Sequence, residues 1–305
     1  MKTNLNRRSF LQHTAFASAA LALGGCASLG RKKPLFEISL AEWSLNKALF
    51  GKKLDHLDFP KAARQDYGIG AIELVNQFMM KKAQDQSYLA EFKQRADGEG
   101  VKILLIMCDG EGSLGDPDEK KRLQAVMSHR KWADAAKFFG CHSIRVNADA
   151  KGQGSFEEQQ KRAADGLHSL SGYCAKLGLN CIVENHGGLS SNGAWLAGVM
   201  RMVNLPNCGT LPDFGNFGLG DGKWYDRYQG VTEMMPYAKA VSAKTNEFDA
   251  QGNCVETDYR RMMKIVLDAG YRGYVGIEYE GSKLSESEGI MATKRLLEKV
   301  REEMA

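Results

Sequence analysis

The sequence has no C-x-x-C pair, no low-complexity linker, no heptad array and no glycine loop built to cradle phosphate. Without paired cysteine spacing, its scattered cysteines read as small buried side chains rather than as a disulfide framework or a thiolate metal site. Without a linker or a second compositional regime, the chain reads as one domain. Histidine is scarce, with six in all, and 41 Lys and Arg nearly balance 37 Asp and Glu. A polyanion groove needs a basic excess, so nucleic acid is not an expected partner. Also missing is an apolar run of the ~20 residues that a membrane span requires.

The first thirty residues read as an address. Arg7-Arg8-Ser9-Phe10-Leu11-Gln12 precedes an apolar run from Thr14 to Leu23, which ends at Leu23-Gly24-Gly25-Cys26. This order resembles a twin-arginine signal joined to a bacterial lipoprotein cleavage box. Residues 1–25 are then the signal, residues 26–33 a short tether, and residues 34–305 the folded domain. The expectation is export by the twin-arginine route to the periplasm or cell envelope, with a lipid on Cys26 as the only membrane contact. Removal of Lys2, Arg7 and Arg8 lowers the formal charge from +4 to +1. The remaining length, about 270 residues, suits one α/β barrel.

Helical stretches that end at glycine and lead into short apolar runs recur along the chain. The junctions are Gly68 before Ile69 to Val75, Gly100 before Val101 to Met107, and Gly140 before Ser143 to Val146. Two more are Gly178 before Leu179 to Val183 and Gly270 before Tyr274 to Ile277. Glycine suits the position after a helix, and the runs look like strands buried on both faces. Phe36 to Leu40, Cys208 to Leu211 and Ala240 to Ala243 complete eight strand candidates, enough for a single (β/α)8 TIM barrel. Asp116-Pro117 and the capping box Ser155-Phe156-Glu157-Glu158 mark expected helix starts. Leu40-Ala41-Glu42-Trp43-Ser44 lacks the phosphate loop of an open doubly wound sheet.

A barrel carries its chemistry at the carboxyl ends of its strands. There the fifth strand gives Glu184-Asn185-His186-Gly187-Gly188, the sixth Asp213-Phe214-Gly215-Asn216, and the eighth Glu278-Tyr279-Glu280-Gly281. Three carboxylates converging on one mouth repel one another unless a cation or a shared proton sits among them. Lys244, after the seventh strand, could supply that charge. Secondary candidates are Glu42 and Trp43 after the first strand, Glu73 and Asn76 around the second, Asp109 after the third, and Arg145 and Asn147 at the fourth. Trp43 and Phe217 could stack on a sugar ring, and Asn147 and Asn185 could bind hydroxyls.

On Ile72-Glu73-Leu74-Val75, Val183 to Gly188, Gly209 to Asn216 and Gly276 to Gly281, the chain resembles the xylose isomerase-like TIM-barrel superfamily. It is especially similar to exported members of sugar phosphate isomerase/epimerase type. The resemblance implies a divalent metal, often manganese, held by Glu, Asp, His and Glu of strands five to eight. Carried over, the metal ligands are Glu184, Asp213 and Glu278, with Ser242 where the histidine is expected. His186 could complete the ligand set or act as acid or base. The resemblance implies that the two glutamates, Glu184 and Glu278, move the proton. Lys244 and His186 join them as catalytic candidates by position, and Trp43, Glu73, Asn147, Asn185 and Asn216 are candidates to bind a carbohydrate.

The implied reaction is proton abstraction next to a carbonyl, giving an isomer or epimer, with a 3-keto sugar or glycoside as substrate. Loss of a β-leaving group from the same enolate would make the protein a 3-keto-glycoside lyase. A non-catalytic sugar-binding barrel is the rival of another class. Endonuclease IV-type repair enzymes share the barrel, but they imply a histidine-rich zinc site and a basic groove.

Overall fold

The computed structural model describes residues 34–305, so the signal, the tether and Cys26 lie outside the described residues. The strands in chain order are β1 (Glu37–Ala41), β2 (Ala71–Val75), β3 (Lys102–Met107), β4 (Ser143–Val146), β5 (Asn180–Glu184), β6 (Cys208–Leu211), β7 (Gly218–Gly220), β8 (Lys223–Trp224), β9 (Val241–Thr245) and β10 (Tyr274–Tyr279). Eight form one parallel sheet in the order β6-β5-β4-β3-β2-β1-β10-β9. Its edges meet: Lys239 N–H donates to the Thr210 carbonyl at 3.0 Å, and Ser242 N–H to that of Pro212 at 2.9 Å. The expected barrel is therefore present, with β9 and β10 as its seventh and eighth staves.

Between the strands run α1 (Asn46–Phe50), α2 (Phe59–Gln65), α3 (Gln86–Gly98), α4 (Glu119–Phe139), α5 (Phe156–Leu177), α6 (Gly193–Val203), α7 (Arg227–Met234), α8 (Tyr259–Asp268) and α9 (Glu286–Glu303). The Ser155 capping box opens α5 as expected. At α4 the start falls later than Asp116-Pro117 suggests. Asp118 is the cap, accepting from Lys120 N–H and Lys121 N–H, while Asp116 turns the chain by accepting from Asp118 N–H at 2.9 Å. Gly140 and Gly178 end α4 and α5 at φ 78° and 73°, where a Cβ would be strained.

Alternation along each strand divides the apolar residues in two. Ile72, Leu74, Ile144, Val183, Ala243 and Ile277 face the helices and belong to the larger core. Ala41, Val75, Leu105, Met107, Ile182 and Leu211 fill the barrel interior as a smaller one. The six described cysteines are all buried and unpaired, as the spacing suggested. The hairpin β7–β8 was not foreseen. Its turn residues Asp221 and Gly222 both have positive φ, the conformation that an Asp-Gly pair favours, so a signal was there.

Close packing ties the loop after β3 to α5. An added Cβ on Gly166 would stand 1.9 Å from the Leu114 carbonyl oxygen. Alanine is the better helix former by ~1 kcal/mol, but overpacking costs ~1–3 kcal/mol. Gly166→Ala is expected to lower stability by about 2 kcal/mol in urea unfolding, and an increase would show that the loop yields freely.

Candidate active site

The carboxyl ends of β4, β5, β9 and β10 and the loop after β6 bring charges together at the barrel mouth. Glu184 and Asp213 are fully buried, and Glu278 and Lys244 nearly so. Register sets Glu278 beside Lys244 on neighbouring strands. The Lys244 ammonium lies 3.0 Å from Glu278 Oε1, 3.3 Å from Glu280 Oε2 and 3.9 Å from Asp213 Oδ2. Gly215 makes room for its stem, since a Cβ there would stand 2.9 Å from Lys244 Cδ. Tyr259 O–H donates to the Lys244 carbonyl at 2.9 Å and fixes the backbone.

Arg145 is the second cation. It contacts Glu184 Oε2 through Nε at 2.8 Å and donates to Asp109 Oδ1 through Nη1 at 2.9 Å. The contact with Glu184 is an ion pair off the hydrogen-bond axis, which leaves Glu184 Oε2 buried without a hydrogen bond. Glu184 Oε1 accepts from Asn216 Nδ2 at 2.9 Å. Asp213 Oδ1 accepts from the backbone of Gly215 and Asn216, each at 2.7 Å.

Ser242 stands in the position where a histidine was expected. Its hydroxyl lies 2.9 Å from Asp213 Oδ2 and 3.1 Å from Glu278 Oε2, and its one proton serves one of them at a time.

The carboxylates divide by environment. Burial pushes Glu184 up to about 7, opposed by Arg145 and reinforced by Glu278. Asp213 is also raised by burial, against the pull of Lys244. Burial acts on Glu278 as well, but Lys244 and Arg145 outweigh it and hold that carboxyl below its ordinary value. Pairs of carboxyls pushed apart in this way are suited to acid and base roles.

Other predicted residues take several places. Trp43 lines the cavity above the charges and its indole N–H donates to Glu280. The His186 ring lines the same cavity but is not among the converging ligand atoms, so it completes no four-ligand set. Burial and the nearby cations Arg145 and Lys244 lower its pKa. Asn147 donates to Asp109 Oδ1 at 2.7 Å. Asn216 spans the site, donating to Glu184 and accepting from Lys244 at 3.3 Å.

Asn185 does not face a substrate. It is fully buried, donating to the carbonyls of Asp213 and Asn216 and accepting from Asp213 N–H at 2.8 Å, so its polar atoms pin β5 to the loop after β6. Phe217 is likewise buried against Gly230, away from any sugar. Glu42 is buried, accepting from Val75 N–H at 2.8 Å. Asn76 ties the ends of β2 and β3 through Asp109 N–H and carbonyl. Glu280 was overlooked as a site residue. Its place two residues after Glu278, and so on the same strand face, was the available signal.

Glu184, Asp213 and Glu278 each present a carboxylate oxygen, all within 4.8 Å of one another, a group that could hold a metal ion. Glu184 Oε2, buried without a hydrogen bond, and the all-oxygen donor set fit a hard divalent cation.

The xylose isomerase-like TIM barrel family model matches residues 61–301. The chain belongs to this family. Among curated proteins none matches the sequence. Three solved xylose isomerase-like or related barrels are similar in fold. The E. coli 3-keto-D-glucoside 4-epimerase YcjR shares 15% identity over 87% of this chain and 99% of its own, with a TM-score of 0.63. The IOLI protein with a bound zinc atom shares 15% over 88% and 99%, at 0.67. A Mycobacterium smegmatis xylose isomerase-like TIM barrel protein in complex with magnesium shares 16% over 88% and 98%, at 0.64.

Beneath the charged mouth of this xylose isomerase-like barrel lies Glu73, buried within the staves rather than lining the cavity. Ser39 Oγ donates to its Oε1 at 2.6 Å, while Oε2 has no partner. Gly276 leaves the space, since a Cβ there would stand 2.6 Å from Glu73 Oε1. Burial pushes this carboxyl from 4.5 up to about 7. A carboxyl raised on folding has no such cost below its unfolded value and destabilises increasingly as pH rises through its folded value. Glu73→Gln is therefore expected to gain stability relative to the parent between about pH 5 and pH 8, by up to ~3 kcal/mol. Urea unfolding across that window checks it, and a constant difference between the two proteins would contradict it.

Proposed function

We propose that this protein is a sugar isomerase/epimerase-type enzyme that moves a proton α to a carbonyl, acting on an oxidised (3-keto) sugar or glycoside. The observation that carries the reading is Glu278 lining a small cavity beside Glu280 and Arg145, with the Lys244 ammonium 3.0 Å from it and the fully buried Glu184 paired to Arg145. A sugar-binding cleft works through hydroxyl partners and aromatic faces and gains nothing from several buried carboxylates. The name of the similar E. coli barrel, a 3-keto-D-glucoside 4-epimerase, favours a keto-glycoside substrate.

In this scheme Glu278, held ionised by Lys244, removes the proton next to the carbonyl. Glu184, raised toward neutrality, returns a proton. The Lys244 ammonium faces the negative charge that develops on the carbonyl oxygen, in a dry setting where a fixed cation is most effective. Arg145 and Asn216 orient Glu184. A divalent ion on Glu184, Asp213 and Glu278, manganese being our choice, would supply Lewis-acid polarisation of the same carbonyl. The twin-arginine motif and Cys26 support placing the enzyme in the periplasm or cell envelope on a lipid anchor.

The test is exchange of the α-proton of 3-keto-glucosides in deuterated water, with product analysis. Wild-type protein is expected to incorporate deuterium and to yield an epimer or isomer. A released leaving group would instead identify the lyase branch from the same enolate. Glu278→Gln should lower exchange by about 10²–10⁴ while ligand binding persists. Lys244→Met should lower it by about 10²–10³. Near-stoichiometric divalent metal, removed by chelation with loss of exchange, is the expected elemental result. Wild-type binding without any exchange would favour a sugar-binding barrel.

A further inference from the structure

Three cavities adjoin at the barrel mouth. The central one, about 250 Å³, is lined by Glu278, Glu280, Arg145 and Asp109 among others. It shares His186 with a cavity of about 690 Å³ on one side and Gln77 with one of about 520 Å³ on the other. Ligand pockets generally run from about 300 to 1,000 Å³, so the central space alone suits a single sugar ring at most.

The cavity beyond Gln77 has an aromatic wall. The rings of Phe50 and Phe78 lie 4.8 Å apart, and each is 6.1 Å from the ring of Trp43. Trp43 itself lines the central cavity, so the aromatic surface is continuous from the charged centre outward. Phe50 is 56% exposed despite this cluster. Lys52 and Asp55 line the same cavity and supply polar groups. A pyranose ring has the matching chemistry, with an apolar C–H face for the phenyl rings and hydroxyls around its edge for the polar rim.

We infer that the cavity lined by Phe50 and Phe78 is a subsite for the second ring of the substrate, which makes that substrate a keto-disaccharide rather than a free keto-sugar. This rests on the central cavity being the place of proton transfer. The two readings fail separately.

The test compares the 3-keto derivatives of maltose, cellobiose and trehalose with those of both methyl glucosides. At least one disaccharide is expected to be turned over with kcat/KM about tenfold above the methyl glucosides, the order of one aromatic contact. Phe50→Ala should erase that advantage by raising KM for the disaccharide while kcat holds, and Phe50→Trp should restore it. Turnover without preference for any disaccharide, or an advantage that survives Phe50→Ala, would overturn the subsite alone. Failure of both substrate classes to exchange or turn over would overturn the catalytic reading and the subsite with it.

Discussion

The site depends on the buried ammonium of Lys244. Two carboxylates about 4 Å apart repel by roughly 4 kcal/mol at an effective dielectric near 20, and Asp213 and Glu278 are held together with little water. Lys244 lies within 4 Å of both and of Glu280, so attraction at the centre offsets repulsion around it. Arg145 does the same on the opposite side, between Glu184 and Asp109. Each cation depends on the surrounding backbone. The glycine at 215 admits the Lys244 stem, and Tyr259 holds the strand that carries it.

The barrel makes this arrangement possible by alternation. Every second residue of a strand points inward, so Ser242 and Lys244 share the inner face of β9 while Val241 and Ala243 pack against helices. Small inward residues make room for larger ones in the middle of the barrel. Gly276 leaves the space that the Glu73 carboxyl occupies, and Ser39 satisfies one of its oxygens. The apolar interior below, with Leu105, Met107 and Ile182, excludes water from beneath the charges. The same dryness that raises Glu73 and Glu184 strengthens every ion pair above them.

Much of the polar inventory near the mouth binds the protein rather than a ligand. Asn185 spends its hydrogen bonds on the loop that presents Asp213, and Asn216 links Glu184 to Lys244. These amides fix the separation of the charged groups. That leaves the mouth with Trp43, Gln77, Arg145, His186, Asp109, Glu278 and Glu280 in its lining. The surface available to a substrate is thus more charged and aromatic than amide-rich.

The sequence by itself determined the eight staves, five from a glycine that ends a helix before a short apolar run and three from the apolar run alone, because these are local features set by backbone sterics and burial. It also determined that Glu184, Asp213 and Glu278 end strands on the same side of the sheet, since alternation is a property of each strand alone. Tertiary structure decided which amides face inward or bond the backbone, as Asn185 and Asn147 show, because loop conformation depends on contacts with distant strands. It likewise decided that Lys244 meets Glu280 as well as Glu278, that Arg145 pairs with Glu184, and that Glu73 sits below the cavity. Those relations come from closing the barrel, which sets neighbours by register and curvature rather than by sequence separation.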